Sequence, residues 1–106
     1  NHESIFPDEY RLYHNYPNPF NPSTIISYDL KAWSRVSLDI FDILGRNIMT
    51  LEKSLKAPGR HMTQWYGKDS KGLKMPTGVY FYRLIVQDII SGKKAFEKTE
   101  KMMVVK

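Results

Sequence analysis

The chain has 106 residues, a length that suits a single domain. It contains no cysteine, which excludes disulfide bonds, zinc–thiolate sites and cysteine nucleophiles. Hydrophobic residues make up 42% and charged residues 25%, as in ordinary soluble globular proteins, and the short apolar runs predict no membrane insertion. No signal peptide opens the chain, and because its first residue is Asn1 we expect a piece of a longer protein.

The net charge is +5, and lysines are concentrated near the C-terminus. The last fifteen residues contain five lysines and two glutamates: Lys93, Lys94, Lys98, Lys101, Lys106, Glu97 and Glu100. A basic surface favours acidic partners such as nucleic acid, anionic polysaccharide or lipid head groups, whereas lysines on an edge strand prevent aggregation. We favour the edge strand, because five lysines in fifteen residues fall short of a dense basic cluster. The arginines are scattered, so we expect no nucleic-acid partner.

Residues 1–23 form an irregular segment that holds four of the six prolines and five aromatic residues. Proline fixes φ and pushes the residue before it into extended geometry. The pattern predicts a linker from a preceding domain over residues 1–15, followed by a stiff, extended lead-in. The aromatic residues indicate that this lead-in docks on the body of the domain.

From Thr24 onward the apolar residues recur with a period of two, which is typical of half-buried β-strands. The alternation predicts strands near residues 25–30, 36–40, 47–55, 61–65, 79–86 and 94–105. Glycine, proline and aspartate punctuate the chain between them, for example at Gly45 and Gly72. Residues 79–86 are apolar on both faces, so we predict that this strand is central.

No segment shows a helical period, and short strands separated by turn signals are typical of a sandwich or barrel. The fold class we predict is all-β: an antiparallel immunoglobulin-like β-sandwich of about seven strands with an irregular proline-rich lead-in. Trp65 is the candidate for the central aromatic residue of its core, whereas Trp33 lies in a break between strands.

No set of residues suited to catalysis is apparent. The three histidines lie far apart, and no HExxH motif, phosphate-binding glycine loop or G-x-S-x-G elbow occurs. His61 shares a strand face with Trp65, where a structural role is expected. The loop at residues 68–72 offers only Asp69 beside two lysines, so we interpret it as a turn. We therefore expect no enzymatic activity, no catalytic residue, no metal site and no cofactor.

Exposed aromatic rings offer an alternative function, because flat rings stack on sugar faces. Trp33 and Tyr66 are the candidates for glycan contacts. Aromatic residues of strands also fill cores and form cross-strand pairs, and the sequence leaves both interpretations open for these two rings.

One run is not explained by composition. Residues 16–24, YPNPFNPST, resemble the opening motif of the type A C-terminal sorting domains of the type IX (Por) secretion system. Further similar motifs follow in family order: VSLDIFDILGR at residues 36–46, GRH at 59–61, Trp65 with Gly67, TGVYFYRL at 77–84 and KMMVVK at 101–106. The Trp–Gly and Gly–Val–Tyr features are also similar to the immunoglobulin-like domain of flagellar hook-capping proteins. Tyr66 departs from the pattern, because many relatives carry aspartate there.

The resemblance implies that residues 16–106 are an immunoglobulin-like C-terminal sorting domain, a non-enzymatic signal that directs an exported multidomain protein through the outer membrane. The implied partners are the outer-membrane type IX translocon, a sortase-like peptidase and an N-terminal cargo domain. The implied location is the periplasm in transit, then the extracellular space or the cell surface. We expect a monomer. The alternative is an accessory carbohydrate-binding module or a structural spacer of a secreted hydrolase.

The residues we expect the translocon to recognise lie in the proline motif, the glycine–tyrosine strand and the basic end of the chain. They are Pro17, Asn18, Pro19, Gly78, Tyr80, Lys101, Val104, Val105 and Lys106. The alternative is that these positions determine the fold: a turn at Gly78, the core at Tyr80 and a fixed chain entry at the prolines.

Overall fold

The computed structural model describes residues 6–105 and contains seven strands and no helix among them. In chain order the strands are β1 (Arg11–Leu12), β2 (Thr24–Leu30), β3 (Ser34–Phe41), β4 (Asn47–Lys56), β5 (Gly59–Trp65), β6 (Gly78–Asp88) and β7 (Lys94–Val104). Accordingly, no helix in this part of the chain could cross a membrane.

The strands form two antiparallel sheets, one with the order β1-β2-β5 and the other with the order β4-β3-β6-β7. The predicted all-β sandwich is confirmed. The period-two pattern also placed β2 to β7 close to their observed bounds. Strands β2, β3 and β6 bury one face, whereas β4, at the edge of its sheet, has no fully buried residue. Strand β6 is central in its sheet, between β3 and β7, as its apolar residues on both faces predicted.

The core lies between the two sheets and is filled by alternate residues of each strand. Ile26, Tyr28 and Leu30 of β2 are at most 1% exposed. Trp65 is 1% exposed and meets Phe20 and Tyr80 edge to face, with ring centroids 5.6 and 5.7 Å apart. Trp65 is therefore the central aromatic residue that the sequence predicted, and its indole N–H donates to the Lys68 carbonyl at 2.8 Å.

Strand β1 lies within the segment that the sequence predicted as a linker, residues 1–15. Arg11 and Leu12 pair with Asp29 and Tyr28 as strand β1, and Leu12 is 4% exposed. The sandwich therefore begins before residue 16, because an apolar side chain at position 12 fills the core beside β2. Residues 1–5 of the predicted linker lie outside the described residues.

The polar loops act as turns. Asp69 accepts hydrogen bonds from the backbone N–H groups of Lys71 and Leu73, both at 2.9 Å. Asp42 does the same for Leu44 and Arg46 in the turn that ends at Gly45, where φ is +83°.

Candidate functional site

The lead-in changes sheets between residues 16 and 20. Tyr16 exchanges two backbone hydrogen bonds with Ile25 of β2, at 3.0 and 2.8 Å. Phe20 then forms a parallel bridge with Val104 of β7, in the other sheet. The three peptide bonds that precede Pro17, Pro19 and Pro22 are cis. The proline motif therefore connects the two layers along one side of the sandwich.

Hydrogen bonds fasten the proline motif to the last strand. The Phe20 N–H donates to the Met103 carbonyl and the Val105 N–H donates to the Phe20 carbonyl, both at 3.1 Å. The Met103 N–H donates to the Asn18 side-chain oxygen at 3.0 Å. We call the surface formed by residues 17–20 and 101–105 the junction.

Three hydrogen bonds among Asn15, Thr24 and the Pro17 carbonyl hold the start of the junction in place. The Asn15 amide donates to Thr24 Oγ1 at 2.9 Å and to the Pro17 carbonyl at 3.2 Å, and the Thr24 hydroxyl donates to the same carbonyl at 2.8 Å. Asn15 and Thr24 are 4% and 1% exposed. These bonds fix the carbonyl of Pro17 where the chain leaves the first sheet. Sequence reasoning missed both residues, since no local pattern shows that their side chains are buried.

A second cluster of hydrogen bonds holds the chain at Tyr13, just before the proline motif. The Tyr82 hydroxyl donates to the Tyr13 carbonyl at 2.6 Å. The Tyr13 hydroxyl donates to the Asp29 carboxylate, which also accepts from Arg60 Nε at 2.8 Å. Burial raises the pKa of Asp29, but the hydrogen bonds from Arg60 and Tyr13 outweigh it, so the net shift is downward. Asp29 is therefore ionised at neutral pH and joins three neighbouring segments of the chain.

The predicted recognition residues of the proline motif and the last strand meet at the junction. Asn18, Pro19 and Lys101 line one shallow groove, and Lys101 is exposed. Val104 is 7% exposed and packs inward, whereas Val105 is half-buried. Lys106 lies outside the described residues. Met103, which is 40% exposed, belongs to the same groove and was missed by sequence reasoning.

Gly78 and Tyr80 adjoin the junction from β6. Gly78 pairs with Val104 across the two strands. Tyr80 is 5% exposed, and its hydroxyl donates to the Pro76 carbonyl at 2.7 Å. Burial also raises the pKa of Tyr80. Its ring supports Trp65 and its hydroxyl anchors the loop before β6, which favours the role of a fold determinant.

The two candidate glycan contacts lie at opposite ends of the sandwich. Tyr66 is 58% exposed, directly follows β5 and lines an open cleft of about 300 Å³ with Lys74 and Phe20. Trp33 is 52% exposed and lies in the turn between β2 and β3, near the far end of β2. The two rings therefore do not form a common platform.

Among residues 6–105, no group of three or more histidine, aspartate or glutamate side chains could hold a metal ion. His61 stacks on Tyr28 with ring centroids 5.4 Å apart, and its Nε2 lies 2.8 Å from the Ala57 carbonyl oxygen. The histidine is thus part of the packing, as its strand position predicted.

Comparison with known structures shows the same sandwich elsewhere. FlgD from P. aeruginosa superposes with a TM-score of 0.62 at 27% identity, over 76% of this chain and 61% of that one. Dimeric latent PorU from Porphyromonas gingivalis gives a TM-score of 0.69 at 22% identity, over 97% of this chain and 10% of that one. PorZ, a surface component of the type IX secretion system of the same organism, gives a TM-score of 0.54 at 24% identity, over 93% of this chain and 12% of that one.

This chain spans 61% of the FlgD chain and about a tenth of PorU and PorZ, and the likeness to the last two shows the fold alone. No curated protein matches the chain. The family model described as the secretion system C-terminal sorting domain matches residues 14–104 of the chain. These residues include the proline motif and every strand from β2 to β7. The chain belongs to the family of secretion system C-terminal sorting domains.

Proposed function

We propose that the junction is the surface by which the type IX secretion machinery recognises this domain. The domain itself is a C-terminal sorting domain of the kind that type IX cargo carries, so it serves an exported protein. The observation that supports the junction as the recognition surface is the hydrogen bond between Asn18 and Met103, which joins positions 85 residues apart in the chain.

This arrangement makes recognition dependent on folding. An unfolded chain presents the proline motif and the basic last strand separately, whereas the folded sandwich presents them side by side on one surface. A receptor that contacts both segments therefore binds only a domain that has folded. Lys101 supplies an exposed positive charge beside the rigid Asn18–Pro19 backbone, which gives the surface both charge and shape.

The rest of the pathway follows from the proposed recognition. Cargo fused before the domain reaches the periplasm, the junction engages the outer-membrane translocon, and the cargo passes to the outside. A sortase-like peptidase then removes the domain, and the cargo stays on the cell surface or is released. The domain has no catalytic part in these steps, which agrees with the packing role of His61 and the structural role of Asp29.

Fusion of residues 6–106 to a neutral, folded reporter tests the proposal in a host that has type IX machinery. We expect the reporter in the medium or on the cell surface, and we expect Lys101→Glu together with Asn18→Ala to retain it in the periplasm. Trp33→Ala is the matched control, because Trp33 is exposed at the opposite end and its loss leaves the junction intact. Equal export of the junction variant and the control would contradict the proposal.

A further inference from the structure

Strand β7 lies at the edge of its sheet, because the strand order is β4-β3-β6-β7. In an antiparallel strand the backbone groups of successive residues point alternately towards one neighbour and the other. Both backbone groups of Met103 point away from β6, since they bond to Asn18 and Phe20 of the lead-in. The lead-in therefore covers this edge from Met103 to the end of the strand.

By the same alternation, the N–H and C=O groups of Glu97, Thr99 and Lys101 also point outward. These groups form no hydrogen bond with any other residue in the described part of the chain. The three residues are also exposed. We call residues 97–101 the open edge; an edge of this kind offers backbone donors and acceptors to a further strand.

The sequence of the open edge, EKTEK, complements itself in antiparallel pairing. When two copies pair with Thr99 at the centre, Glu97 faces Lys101 of the second copy, and Lys98 faces Glu100. The two-fold axis repeats each contact, so four pairs of opposite charge flank the central pair of threonines. Opposite charges placed directly across two strands stabilise their pairing.

Neighbouring registers of the same pairing are unfavourable. A shift of two residues in one direction places Lys98 opposite Lys98 of the second copy, and a shift in the other direction places Glu100 opposite Glu100. Like charges directly opposite each other destabilise paired strands. The lead-in also occupies the outward groups of Met103, which limits pairing to residues 97–101. Charge and geometry thus select one register.

We propose that the open edge binds a second copy of this chain, in antiparallel register about Thr99, and that the two four-stranded sheets join into one sheet of eight strands. Three pairs of residues exchange six backbone hydrogen bonds across the two-fold axis. This dimer replaces the expected monomer and uses a part of β7 that the lead-in leaves uncovered. The open edge shares Lys101 with the junction, so the dimer is tested by the association of the purified chain and not by export; the short contact makes it weak.

Charge exchange tests the register. Sedimentation equilibrium of the chain up to about 1 mM gives the dissociation constant of the dimer. Glu97→Lys and Lys101→Glu each place like charges opposite one another twice per dimer, so each variant alone associates about tenfold more weakly. An equimolar mixture of the two variants restores every opposite-charge pair and returns the association to within about threefold of the original.

Backbone blockage tests the pairing itself. Thr99→Pro removes an outward N–H that has no partner within the described chain, and proline is tolerated on edge strands, so the variant folds. We expect it to be monomeric, with Thr99→Val as the matched control that still dimerises. A chain that stays monomeric throughout, a mixture that fails to restore association, or a folded Thr99→Pro variant that still dimerises would each overturn the proposal.

Discussion

Two aromatic residues of the same motif, Tyr16 and Phe20, are expected to differ sharply when each is replaced by alanine. Phe20 is 2% exposed and meets Trp65 edge to face, whereas Tyr16 is 79% exposed. Burial of a phenylalanine side chain contributes about 1.5–3 kcal/mol, and an aromatic pair adds about 0.5–1.5 kcal/mol. With the cavity left behind, Phe20→Ala lowers the free energy of unfolding by about 3–5 kcal/mol.

Urea unfolding followed by tryptophan fluorescence measures this difference. For a domain of this size, with a slope of about 1–2 kcal/mol per molar urea, Phe20→Ala lowers the midpoint by about 1.5–5 M. Tyr16→Ala keeps the backbone bonds to Ile25 and changes the free energy of unfolding by less than about 0.5 kcal/mol. Equal losses in the two variants, or a loss below about 1 kcal/mol for Phe20→Ala, would refute the packing of the motif described above.

Three further predictions concern the residues around the lead-in. Asp29→Asn lowers the free energy of unfolding by about 1–2 kcal/mol at pH 7, because Arg60 and Tyr13 both donate to the carboxylate. Since the pKa of Asp29 lies below its ordinary value of 3.8, this stabilisation is present above pH 3.8 and is lost as the pH falls through the folded-state pKa. The difference between the urea midpoints of the two proteins therefore shrinks as the pH falls below 3.8, and a difference that stays constant as the pH falls would contradict this. Asn18→Ala speeds hydrogen exchange at the Met103 amide and costs about 0.5–1.5 kcal/mol, whereas Asn18→Asp retains an acceptor and protects that amide. Calorimetric titration with a panel of glycans gives no binding; a signal that Tyr66→Ala abolishes would instead favour the carbohydrate-binding module.

Strands β2, β3 and β6 were predictable because each buries one face, and the apolar residues of that face recur with a period of two along the sequence. Strand β6 is the clearest case: Tyr80, Tyr82 and Leu84 are buried between the sheets, and their neighbours pack on the outer face. Strand β1 was not predictable, because two residues carry no period. Its position depends on pairing with Asp29, which lies eighteen residues away from Arg11.

The candidate site was predictable only as separate segments. The motifs named Asn18 and Lys101, but their proximity depends on the sheet order and on the route of the lead-in, neither of which a short pattern encodes. The sheet order also places Tyr66 and Trp33 at opposite ends of the sandwich, which a short sequence pattern does not encode. The buried amide of Asn15 has no sequence signal at all, since an asparagine before prolines is equally typical of an exposed loop.

Site-specific photo-crosslinking during export tests the recognition of the junction most directly. A photoreactive amino acid replaces Met103, which is 40% exposed at the junction, or Trp33, which is 52% exposed at the opposite end of the sandwich. Both positions are accessible, so the comparison separates recognition from exposure. We predict crosslinks to outer-membrane components of the type IX machinery from position 103 and none from position 33. Crosslinks from position 33 alone, or equally from both positions, would contradict recognition through the junction.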